Sequence, residues 1–200
     1  MKNLMFDLGG VIMEIERRRA VDALKAIGLS NANEMLGEYG QQGIFLELEL
    51  GNVTPQEWRN ELRRHINCDV TDAEIDNAFM QFLIGIPVER LNELEELHKY
   101  YRLYLLSNTN KVMWEGKILE EFKKAEHDMD FYFDGVIPSF EEHCYKPDAA
   151  IFLRAAEKFG IKPEETIFFD DSLANVEAAQ ALGFGGVHVV DNRPFKEFLK

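Results

Sequence analysis

The chain has 200 residues, enough for one substantial core carrying an insertion but short of two full domains. Its 46% hydrophobic and 29% charged residues, with no repeat or low-complexity stretch, exclude an intrinsically disordered chain. A formal net charge of -14 has the wrong sign for a protein whose main partner is a polyanion, so no nucleic-acid partner is expected. A small phosphorylated ligand stays compatible with that charge, because one local lysine and a metal ion reverse the field inside a site. No apolar run approaches the roughly 18 residues of a membrane span, and Met1 to Asp7 lacks a signal-peptide layout. The expectation is a cytoplasmic protein without a membrane partner. Cys68 and Cys144 have no neighbouring Cys or His at metal-ligand spacing and read as reduced thiols.

Asn3 to Leu8 is a short apolar run closed by Gly9-Gly10, which predicts a buried strand ending in a sharp turn with Asp7 at its carboxyl end. From Glu14 to about Pro87 every signal is helical. Val21, Leu24 and Ile27 mark one face before a Gly28 stop, and Thr54 to Glu57 and Thr71 to Glu74 have capping-box spacing. At least four helices and no strand are expected there. The pattern then alternates: a helix through Leu91, Leu94 and Leu97, a strand at Tyr104 to Leu106 running into Ser107, and a helix from about Asn110 to Glu126. A strand at Phe133 to Ile137, a helix from Pro147 to Gly160, a strand at Thr166 to Asp171, a helix from Ser172 to Leu182 and a last strand at Gly186 to Val190 follow. Apolar strands alternating with helices predict an α/β fold with a doubly wound parallel sheet, whose ligands bind at carboxyl strand ends. The expected division is a Rossmann-like core of residues 1–13 and 88–200 and a helical-bundle cap of residues 14–87, hinged beside the first strand and able to cover the site.

Asp7, Ser107, Lys146 and the pair Asp170-Asp171 all fall at the same predicted edge of the sheet. Singly, each has an ordinary use in turns and caps; together they suit phosphoryl transfer. Three carboxylates and one lysine leave two negative charges, which one magnesium ion neutralises. Like charges 4 Å apart cost roughly 4 kcal/mol at an effective dielectric of 20, so a phosphate enters only alongside the cation and strict Mg2+ dependence is expected.

This ordered set resembles the four motifs of the haloacid dehalogenase superfamily. The wording of Asp7-Leu8-Gly9-Gly10-Val11-Ile12, Leu106-Ser107-Asn108-Thr109-Asn110 and Phe168-Phe169-Asp170-Asp171 is similar to the branch of bacterial α-glucose-1-phosphate phosphatases and the phosphatase domain of soluble epoxide hydrolases. The resemblance implies a magnesium-dependent phosphatase of a small phosphorylated metabolite, an anomeric sugar phosphate among the candidates. It assigns Asp7 as the nucleophile that forms an aspartyl-phosphate, with Ser107 and Lys146 holding phosphoryl oxygens beside Leu8, Gly9 and Asn108. Asp7, the Gly9 carbonyl, Asp170 and Asp171 would hold magnesium through hard oxygen donors, and Asn175 would support their loop.

One departure matters. Gly9 stands where family phosphatases carry a second Asp that transfers protons, so a contribution of roughly 10²–10⁴ in rate is in question. Slow turnover is expected, with aryl, acyl and anomeric phosphates favoured over alkyl ones. Glu14 and Glu16 at the hinge are candidate replacements, against the commoner reading of solvated acids paired with Arg17, Arg18 or Arg19. His143 and Tyr145 also depart from the branch's wording and would shape the rim. The five histidines show no ligand spacing. Phe45, Trp58, Phe79 and Phe82 are candidates for substrate contact, although helical spacing more often marks a core. Two competing readings are a dehalogenase, in which Asp7 attacks carbon without a metal, and a non-catalytic phosphate-binding scaffold.

Overall fold

A computed structural model describes residues 2–37, 42–191 and 193–199. Strand β1 (Asn3–Phe6) is buried along its whole length and leads through the Asp7 to Met13 turn into β2 (Glu14–Ile15). Five helices follow: α1 (Arg17–Ala26), α2 (Ala32–Met35), α3 (Gly43–Glu49), α4 (Pro55–Arg63) and α5 (Asp72–Met80). The chain returns through β3 (Leu83–Gly85) to α6 (Val88–His98) and β4 (Arg102–Ser107). Helix α7 (Lys111–Met113) continues through a π turn, Trp114–Ile118, into α8 (Leu119–Phe122). The remaining elements are α9 (Met129–Tyr132), β5 (Gly135–Pro138), α10 (Ser139–Glu142), α11 (Ala149–Phe159), β6 (Thr166–Asp170), α12 (Leu173–Ala181) and β7 (Gly185–His188).

Five strands form one parallel sheet in the order β5-β4-β1-β6-β7. Its strands alternate between two apolar layers: Leu4, Phe6, Leu103, Leu105 and Phe169 face one, and Met5, Tyr104, Leu106 and Phe168 face the other. Successive strand residues point to opposite faces, so burial of both faces explains why the strands read as continuous apolar runs. β1 lies between β4 and β6, and the chain reverses direction across the sheet there. That switch point brings the carboxyl ends of β1, β4 and β6 together.

The expectation of no strand between Glu14 and Pro87 is corrected by β2 and β3. These pair antiparallel, Glu14 opposite Gly85 and Ile15 opposite Leu83. Strands of two and three residues are too short to show a period-2 signal; they exist because the two connections of the insertion run side by side. Within the insertion both predicted capping boxes form, with Thr54 and Glu57, and Thr71 and Glu74, each bonding the other's backbone amide. Arg59 joins α4 to α5 through two 2.8 Å bonds to Asp76. Phe45, Trp58 and Phe79 meet in the cap interior, with ring centroids 5.0–5.7 Å apart. All three are essentially inaccessible, so they are packing residues. Only Phe82 of the four aromatic candidates lines the cavity at the carboxyl ends of β1, β4 and β6.

Truncating this cluster removes a large ring that the surrounding helices cannot fully replace. Phe79→Ala is expected to cost about 3–5 kcal/mol of unfolding free energy, read from urea denaturation of the purified protein.

Candidate active site

The site begins with a lysine. Lys146, 1% exposed, places its Nζ 2.7 Å from Asp7 Oδ1, 2.8 Å from Asp170 Oδ2 and 2.9 Å from the Leu106 carbonyl oxygen. The ammonium has three hydrogens, and each acceptor belongs to the end of a different strand, β1, β6 or β4. Asn108 fixes the lysine's backbone from both sides: its Oδ1 accepts from the Lys146 amide at 2.8 Å and its Nδ2 donates to the Lys146 carbonyl at 2.9 Å. Burial opposes the lysine's charge, but Asp170 and Asp7 outweigh it and hold the ammonium above its ordinary range.

Asp170 is fully buried and fully engaged. Its oxygens accept from Lys146, from the Ser172 amide at 2.8 Å and from Asn175 Nδ2 at 3.0 and 3.1 Å. Together with Asp7 it holds Lys146, and Asn175 of α12 holds Asp170 in turn. Asp171 is different. It is exposed toward the site and bonds to no side chain among the described residues, while its main-chain oxygen accepts from His188 Nε2 at 2.9 Å. Carboxylate oxygens of Asp7, Asp170 and Asp171 lie within 4.8 Å of one another. The Gly9 carbonyl also accepts no hydrogen bond among the described residues. Three carboxylates offset by one lysine, with the Asp171 carboxylate and the Gly9 carbonyl unengaged, fit a magnesium ion, which Asp7, Gly9 and Asp171 would hold, with Asp170 behind them.

Asp7 is 8% exposed. Burial drives its carboxyl up, Lys146 pulls it down, and Asp170 and Asp171 push it up again, leaving it at about 7. Burial likewise raises Asp171, with Asp170 adding to the effect and Lys146 opposing it. The amides of Leu8 and Gly9 donate to nothing among the described residues, which leaves them free for phosphoryl oxygens. Ser107, 2% exposed at the end of β4, lines the same cavity of about 740 Å³ with Asp7, Leu8, Gly9, Asn108, Lys146 and Asp171. Met13, Ile15, Phe82, Leu83, Met113 and Ile118 supply its apolar wall.

Residues 1–183 match the haloacid dehalogenase-like hydrolase family. This protein belongs to that family. It is 34% identical to the D-ribitol-5-phosphate phosphatase of Bacteroides thetaiotaomicron over 92% of this chain and 89% of that protein. It is 33% identical to the fructose-1-phosphate phosphatase of Escherichia coli over 93% and 95% of the two. A haloacid dehalogenase family enzyme from Bacteroides thetaiotaomicron, solved with magnesium and inorganic phosphate, superimposes with a TM-score of 0.95 at 35% identity, covering 100% of this chain and 99% of that one.

The hinge acids do not reach the family's site in this hydrolase. Glu16 caps α1, accepting from the Arg18 amide, and Glu14 faces a separate groove against α6. Tyr145 lines the cavity. His143 binds the cap instead, donating from Nδ1 to the Leu50 carbonyl at 2.8 Å. One cap carboxyl in the cavity, Glu49, was not singled out by sequence. It lies in an ordinary Leu-Glu-Leu-Glu-Leu helix end, and no local pattern distinguishes it from Glu47.

The two glycines of the turn differ. Gly10 has φ of 75°, and a Cβ there would collide with the Asp171 carboxylate; at Gly9 a Cβ would meet only the Ile15 side chain, in ordinary contact at 3.4 and 3.5 Å. Gly10→Ala is therefore expected to lower stability by more than about 1 kcal/mol in thermal unfolding, and Gly9→Ala by less. A second expectation concerns pH. A carboxyl raised to about 7 on folding favours the native state below its unfolded pKa, and that contribution is lost as pH rises through 7. Magnesium competes with the bound proton, so the rise in Tm on adding magnesium should grow from pH 5.5 to pH 8 and shrink in Asp7→Asn.

Proposed function

We propose that this protein is a magnesium-dependent phosphatase that hydrolyses a small phosphorylated sugar or sugar alcohol through an aspartyl-phosphate on Asp7. The observation that carries this reading is a carboxylate held at the floor of a cavity by a buried lysine, beside unengaged metal-ligand oxygens. Asp7 Oδ1 is held by Lys146, which leaves the other oxygen to attack phosphorus while the bond to the leaving oxygen breaks. Ser107 and the free amides of Leu8 and Gly9 bind the phosphoryl oxygens, and Lys146 keeps positive charge beside them as the transition state forms. Magnesium, when bound, neutralises the carboxylates and the phosphoryl oxygens so that two anions can meet. Water then attacks the aspartyl-phosphate, returning Asp7 and releasing phosphate.

The substrate class rests on the two phosphatase relatives, both of which act on phosphorylated carbohydrates, and on a cavity of about 740 Å³, a size suited to a small metabolite. Attack on carbon, as in a dehalogenase, would leave the Asp7, Asp170 and Asp171 cluster without its cation. A phosphate-binding scaffold would be weakened by an anion placed where the phosphate sits.

Phosphate release from p-nitrophenyl phosphate tests nucleophile and metal together. Release is expected with magnesium, is expected to stop with EDTA and resume on adding magnesium, and should fall to background in Asp7→Asn. Undiminished turnover in that variant would overturn the assignment.

A further inference from the structure

We propose that Glu49, brought in by the cap, transfers protons to the leaving group and from the attacking water, the task that Gly9 cannot perform. The inference rests on the phosphatase reading and adds a catalytic residue to it.

Glu49 ends α3, and its side chain lines the cavity that holds Asp7, Lys146 and Asp171. Its carboxyl takes part in no hydrogen bond or ion pair among the described residues. Several other cap acids are engaged: Glu47 accepts from Asn52, and Glu57 and Glu74 close capping boxes. An unpartnered carboxyl inside a reaction cavity has no structural use that would hold it there.

The main chain beneath it is fastened to the core. Ser139 Oγ lies 2.8 Å from the Glu49 carbonyl oxygen, and His143 Nδ1 donates to the next carbonyl, that of Leu50. Gly51 has φ of 65°, and a Cβ there would overlap the Phe140 carbonyl oxygen, so cap and core backbones touch directly. Ser139 is itself bonded to Thr109, two residues beyond Ser107. Glu49 is thereby positioned by the same core elements that carry the phosphate-binding groups.

Its protonation suits the task. Burial, with the charge of Asp7 adding to it, raises the Glu49 carboxyl to about 8, so at neutral pH it carries the proton that a leaving alkoxide needs. The titratable groups facing it across the cavity are Asp7, Lys146, Asp171 and Tyr145; none is hydrogen-bonded to it. The hydrogens of Lys146 are already committed to three acceptors.

In the first step the Asp7 oxygen bonds to phosphorus, the bond to the leaving oxygen breaks, and the Glu49 proton moves to that oxygen. In the second, the Glu49 carboxylate takes a proton from water as water's oxygen bonds to phosphorus and the bond to Asp7 breaks. Glu49 ends protonated, as it began.

The experiment compares first-turnover release of phenol and p-nitrophenol from phenyl and p-nitrophenyl phosphates, with magnesium, by the parent and Glu49→Gln. Phenolate needs the proton more than p-nitrophenolate. Release of phenol is expected to slow about 10²-fold, release of p-nitrophenol only several-fold, and phosphate should accumulate on the Asp7 peptide in quenched samples analysed by mass spectrometry. Glu49→Ala should regain phenol release with added formate, a small acid able to enter the vacated space. Equal slowing of both esters without formate rescue, or no slowing of either, would overturn the role of Glu49. A parent that releases neither product would instead overturn the phosphatase reading.

Discussion

A buried ammonium needs acceptors on every side, and the geometry around Lys146 follows from satisfying it. Its three contacts come from Asp7, Asp170 and the Leu106 carbonyl, which places the ends of three strands within one side chain's reach. Removing that charge would leave two carboxylates buried and unpaired, an arrangement that costs several kcal/mol. The same contacts explain the site's electrostatics. Burial raises the Asp7 carboxyl, Lys146 opposes it, and Asp170 and Asp171 add to it, leaving it at about 7; one lysine offsets only one of three carboxylates, a deficit that a divalent cation would fill.

Core and cap divide the work along chemical lines. In the proposed reaction the core supplies the nucleophile, the phosphate-binding amides and the metal-ligand oxygens from strand ends that the sheet holds in register. The hinge strands contribute Ile15 and Leu83 to the apolar wall, and the cap contributes Glu49. Because the cap's loop is bonded to Ser139 of α10 and to His143 just after it, a carboxyl remote in sequence from Asp7 lines the same cavity. The alkyl esters named for the relatives, ribitol and fructose phosphates, are leaving groups for which such a proton donor matters. The proton transfer proposed for Glu49 would supply what Gly9 cannot.

Much of this was legible in the chain itself. The sheet could be read because strands buried on both faces appear as apolar runs closed by a polar residue: Asp7 just after β1, Ser107 at the end of β4 and Asp170 at the end of β6. Thr54 and Thr71 announced two helices because a capping box is a local interaction between residues three apart. Strands β2 and β3 were not legible, since their pairing joins segments about seventy residues apart and neither is long enough to alternate. The split roles of Asp170 and Asp171 were equally hidden. Adjacent strand-end residues point to opposite sides, and only packing shows that one is sealed against Lys146 and Asn175 while the other opens to the cavity.

What the sequence alone determined was therefore the chemistry of each strand end and the order of the core elements, because both depend on local pattern. Only the tertiary structure decided which carboxyl of the helical insertion reaches that chemistry. Glu14 and Glu16 are close to Asp7 in sequence but turn away into a groove and a helix cap. Glu49 is far along the chain but enters the cavity, because helix packing and two hydrogen bonds to the core, rather than sequence distance, set where its backbone lies.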